Sequence, residues 1–157
     1  MIVTAVPFIS IKSVIYMQNG ARFFAYSTWV IMISLAIIIF THQFFQFMAE
    51  SLPIAIFIIA GFGFLYFNLS YAATKRFIKK VPVPTNLHIL LGILIFLPPA
   101  FWIVIVNLPF SQYDLLLLLF LVLATLTGSI YGNRAGIKAR YEYIQKLKEY
   151  QKRAEEK

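Results

Sequence analysis

The chain has 157 residues, 61% of them hydrophobic and 13% charged, with 16 Phe, 9 Tyr and a formal net charge of +8. A soluble domain carries roughly 25% charged residues, and so small a globule has too little interior to hide this apolar excess, so the composition predicts an all-α integral membrane protein. The absence of cysteine excludes disulfides, thiolate metal sites and cysteine nucleophiles.

The opening stretch, MIVTAVPFISIKSVIYMQNG, has no basic region ahead of its apolar part and no small-x-small cleavage pattern, so it is not expected to be a cleaved leader. Within residues 1–22, Ile9, Ile11, Ile15 and Met17 alternate with mostly polar neighbours. That pattern fits a strand or a short interfacial helix equally well.

Crossing about 30 Å of hydrocarbon takes roughly 20 apolar residues in a helix. Four segments meet this requirement within a transmembrane domain over 23–132. The first runs from Phe23 to Met48 and the second from Leu52 to Ala73, with Pro53 at a first-turn position where its missing N–H costs nothing. The third, Leu87 to Leu108, carries Pro98-Pro99 at its middle, where the lost backbone donor predicts a kink. The fourth runs from Tyr113 to Gly132 behind SQYD, which reads as a capping box with Ser111 at the N-cap and Asp114 three residues on.

Charge assigns the sides. Lys12 and Arg22 precede the first span, Lys75, Arg76, Lys79 and Lys80 lie between the second and third, and the remaining basic residues follow the fourth. The connections around 49–51 and 109–112 contain no Lys or Arg. All 14 basic residues therefore fall on one side, which the positive-inside rule makes cytoplasmic, with both termini there and a plasma or inner membrane as the expected location. Anionic lipid headgroups are the expected partners of Lys75, Arg76, Lys79, Lys80, Arg134, Lys138 and Arg140. This accounts for the pI of 9.8 without nucleic acid, for which the chain has no binding motif.

Ala124, Gly128, Gly132 and Gly136 stand four apart and form one smooth helical ridge. In lipid, close backbone approach is a main source of helix attraction, so the ridge predicts a tight helix–helix seam, either within the chain or between copies. Beyond it, residues 133–157 contain no Pro and only Gly136, and Glu142–Lys146 and Glu149–Arg153 are spaced to pair. The fourth span is thus expected to continue as one helix of roughly 40 residues, reaching into the cytoplasm. Tyr143, Leu147, Tyr150 and Ala154 form a stripe on it, too short for a coiled coil alone but suited to copies or a partner subunit.

Candidate chemistry is sparse. His42 and His88 fall near opposite ends of the spans, about 30 Å apart, too far to ligate one haem. His42, Glu50 and Asp114 would meet at the outer face, where one imidazole and two carboxylates suit a divalent cation or proton transfer, although their spacing matches no ligand motif. Deep inside the spans stand only hydroxyls, such as Ser34, Thr125, Thr127 and Ser129, and Asn68, read as a helix–helix hydrogen bond. Proton-coupled carriers need an intramembrane charge, and none is present. No nucleophile–base set, zinc pattern or phosphate loop occurs, so neither catalysis nor a cofactor is expected. The reading is an accessory or anchoring subunit of a membrane complex, or a self-assembling bundle. The alternative is a small oligomeric channel or pore-forming effector with Thr125, Thr127 and Ser129 toward a lumen.

Overall fold

A computed structural model describes residues 11–41, 43–47, 51–81, 86–106 and 112–155. They form α1 (Ile11–Thr41), a single turn α2 (Phe44–Phe47), α3 (Leu52–Lys80), α4 (Leu87–Val106) and α5 (Gln112–Glu155). Among the described residues four helices are long and apolar enough to cross a membrane: Gly20–Thr41, Leu52–Lys80, Leu87–Ile105 and Gln112–Ala154. Only 22–39% of their most apolar windows is buried inside the chain. Phe40 and Phe57, for example, are 83% and 80% exposed. Water would penalise so much bare apolar area at roughly 25 cal/mol per Å², which fits helices that cross a membrane. The protein is all-helical, with four candidate spans of a multi-pass membrane protein.

The element ends differ from the sequence reading in ways the local chemistry explains. Residues 11–22, left open between strand and helix, belong to α1. The long first segment does not continue to Met48 as one helix. It stops at Thr41, whose hydroxyl turns back to the Ile37 carbonyl, and α2 follows as a separate turn. The second segment runs past Ala73 to Lys80, and Lys79 and Lys80 sit favourably at its negative dipole end. It halts at Val81, held extended at φ −127° and ψ 121° by the proline that follows it in the sequence. Helix α4 passes through Pro98 and Pro99 as one element, both prolines being buried. Helix α5 is a single element of 44 residues, on the order of 66 Å long.

The closest pair is α3 and α5, with α4 against α5 and α1 leaning mainly on α4. Tyr66, Phe77, Leu91, Ile95, Leu117 and Leu121 are fully buried between the helices. Because α1 touches α3 much less than α4, a groove stays open between α1 and α3. Near the Lys79–Lys80 end of α3, Phe23 and Tyr26 set their rings on Phe77 at centroid distances of 5.5 and 5.6 Å.

Candidate functional site

The glycine ridge lies against α3 of the same chain. A Cβ built on Gly128 would fall 2.5 Å from the Phe67 carbonyl oxygen, and one on Gly132 would fall 2.6 Å from that of Tyr71. On Gly136 it would meet Ile78 Cβ at 2.8 Å. Ala124 is buried at the head of the same line. Only hydrogen fits at these glycines, which is why poor helix formers are kept in the middle of a long helix.

Hydroxyls stitch the seam. Ser70 Oγ donates to the Thr125 carbonyl at 2.6 Å, and Thr74 Oγ1 and Ser129 Oγ lie 3.3 Å apart. Ser129 Oγ also donates to the His88 carbonyl, which ties α5 to α4. A second knot joins α1, α3 and α4: Ser34 Oγ donates to the Ile95 carbonyl at 2.8 Å, and the Tyr66 hydroxyl donates to the Ser34 carbonyl at 3.1 Å. Such bonds average about 0.6 kcal/mol each in a membrane and fix register more than they add stability. Seven residues before Ser34 and Ile95 stand Ser27 and His88, both buried, whose Oγ and Nδ1 have no hydrogen-bond partner among the described residues.

This arrangement redirects several sequence expectations. Thr125 and Ser129 are fully buried within the chain rather than facing a lumen, and Thr127 is exposed with its hydroxyl turned back to the Leu123 and Ala124 carbonyls. Among the described residues Asn68 makes no helix–helix bond. It is exposed, and its amide donates to Phe64 one turn back on its own helix at 2.8 Å.

Of the outer-face trio, His42 and Glu50 lie outside the described residues, as does Ser111 of the capping box. Asp114 is buried in the first turn of α5, where its charge meets the positive dipole end. Among the described residues no group of three or more His, Cys, Asp or Glu could hold a metal ion.

Basic side chains gather around the Lys79–Lys80 end of α3 and the adjoining part of α5. Arg76, Lys79, Lys80, Arg134 and Lys138 are exposed, and Lys75 and Arg140 are half-buried. Lys75 Nζ lies 5.6 Å from the Tyr71 ring centroid and Lys79 Nζ lies 6.0 Å from that of Tyr143, both within cation–π range. Between the helices here a cleft of about 600 Å³ is lined by Arg22, Tyr26, Lys79, Lys80 and Tyr143. Sequence reasoning used Arg22 only to assign a side. Its convergence with Lys79 and Tyr143 across three helices leaves no local signal in the sequence.

Beyond Arg140 every described side chain of α5 is exposed, including Tyr141 and Tyr150, each at 67%, with Tyr143, Ile144 and Leu147. No family model, curated protein or solved structure matches this chain.

Proposed function

We propose that this chain is a non-catalytic subunit of a membrane assembly, a four-span anchor that presents the inner half of α5 to another polypeptide. The observation that carries the reading is the bare surface of that half-helix. It is continuous with a span, rich in tyrosine and exposed, with Lys79 approaching Tyr143 from α3. Tyrosine is enriched in protein interfaces because it adds large area at little conformational cost. The one-sided distribution of basic residues supports a cytoplasmic location for this half-helix and for both termini.

A pore made from several copies is the competing arrangement. It draws no support from Thr125 and Ser129, both fully buried within one chain: the Thr125 hydroxyl bonds back to the Leu121 carbonyl of its own helix, and the Ser129 hydroxyl is engaged between helices. The test is a photo-reactive residue placed at Leu147 in the native membrane, with one at lipid-facing Phe57 as control. The expected product is a cross-link from Leu147 to a different polypeptide, absent from Phe57. Cross-links solely to identical chains or to lipid would remove the basis for the subunit reading.

A further inference from the structure

We infer that the gap between α1 and α3 is a seat for one anionic phospholipid, its phosphate held by Arg22, Arg76, Lys79 and Lys80 and an acyl chain lying in the groove beneath. The inference rests on the bilayer placement of the four spans and is independent of what α5 docks onto.

Two adjoining spaces make the seat. The groove between α1 and α3, about 310 Å³, is walled by apolar side chains that include Trp29, Val30, Leu69 and Ala72, and Arg76 stands in the same wall. The basic cleft of about 600 Å³ adjoins it, and Tyr26 belongs to both. Each volume falls in the range of roughly 300–1,000 Å³ typical of ligand sites. Together they have the shape of an amphiphile: a largely apolar groove with Arg76 in its wall, a cleft with Arg22, Lys79 and Lys80, and Tyr26 shared by both.

Charge selects the headgroup. Among the described residues no acidic side chain lines either space, so none of them offers these cations a carboxylate there. Two guanidinium groups suit a phosphodiester, since each can give two parallel hydrogen bonds to its oxygens. Access selects the lipid. Trp29 and Ile33 are exposed on the bilayer-facing side of α1, so the apolar groove is entered from the membrane and not from water. A free phosphate would satisfy the cations but leave the groove unused. The open gap itself follows from the packing, because α1 is held by the Ser34–Ile95 bond to α4 and not by an extended contact with α3.

The test titrates the full-length protein in neutral-detergent micelles, read by native mass spectrometry. The probes are palmitoyl-oleoyl phosphatidylglycerol, the matching phosphatidylcholine, and inorganic phosphate. One phosphatidylglycerol per chain should be retained at least tenfold more tightly than phosphatidylcholine, and inorganic phosphate in excess should not displace it. Each lost cation should weaken retention about fivefold, so Arg22→Ala with Lys79→Ala should weaken it on the order of 25-fold. Lys148→Ala with Lys152→Ala, the same charge change on the distal part of α5, should alter it less than twofold. Ala72→Phe, at an exposed groove position, should weaken retention with every cation in place. Equal losses from the near and distal pairs would mean diffuse attraction and would overturn the seat. Displacement by inorganic phosphate, or equal retention of phosphatidylcholine by the unaltered protein, would overturn it as well, and neither readout depends on a variant folding.

Discussion

Substituting Gly132 by Ala tests the close approach of α3 and α5 along the glycine seam. The new Cβ would sit 2.6 Å from the Tyr71 carbonyl oxygen, 2.9 Å from Thr74 Cβ and 3.1 Å from Tyr71 Cα. Two of these three are backbone atoms, so no rotamer change relieves the clash and the helices must separate by roughly 0.8 Å to regain ordinary contact. Such overpacking costs about 1–3 kcal/mol. The same displacement breaks the 3.3 Å Thr74–Ser129 contact, worth about 0.6 kcal/mol. Against this stands a helix-propensity gain of up to about 1 kcal/mol. The net expectation is a loss of about 1–2 kcal/mol, a factor of roughly 5–30 in the folding equilibrium. Gly61→Ala is the matched control, since a Cβ there meets nothing within 4 Å. It should be neutral or slightly stabilising. Reversible unfolding in mixed micelles, followed by circular dichroism at several protein concentrations, measures both. Combining Gly128→Ala with Gly132→Ala should cost less than the sum, because one separation of the helices accommodates both methyl groups. Equal behaviour of Gly132→Ala and Gly61→Ala would refute the reasoning. A loss that grows on dilution would place the seam between chains instead.

Two further outcomes follow from the buried polar groups. Ser34→Ala should lower stability by about 0.6 kcal/mol, and by no more than about 1.7, in the same unfolding assay. Ser27→Ala removes a buried hydroxyl that donates to no acceptor among the described residues, so it should be neutral or stabilising. Reversal of that order would contradict the hydrogen bonding described here. Liposomes containing the purified protein alone should retain a trapped dye, since Thr125 and Ser129 are buried within one chain. Rapid leakage would favour the pore.

The spans are legible in the sequence because membrane crossing is set by length and apolarity, which are local properties. The line of Ala124, Gly128, Gly132 and Gly136 is legible for the same reason, since its four-residue spacing is a property of one helix. Its partner is not. Phe67, Tyr71 and Lys75 present their carbonyls to those glycines, and a backbone carbonyl has no signature in the sequence. The extent of α1 is also hidden, because alternating isoleucines over 9–17 carry a strand-like period inside what is a helix from residue 11. Ser34 is visible as a polar residue in an apolar run, yet its bonds to Ile95 and Tyr66 depend on a register among α1, α3 and α4 that local pattern does not encode. The meeting of Arg22 with Lys79 and Tyr143 is of the same kind. The trio of His42, Glu50 and Asp114 stays a sequence expectation, as two of its members lie outside the described residues.

The most direct test of the account is a native mass spectrum of the protein extracted in mild detergent from its own membrane, full-length and ending at Arg140. The account predicts that the full chain leaves the membrane bound to a different polypeptide. The shortened chain should be released alone while keeping its unfolding midpoint, since every described side chain beyond Arg140 is exposed. A ring of identical copies that survives the truncation, or a full-length chain that emerges alone, would contradict it.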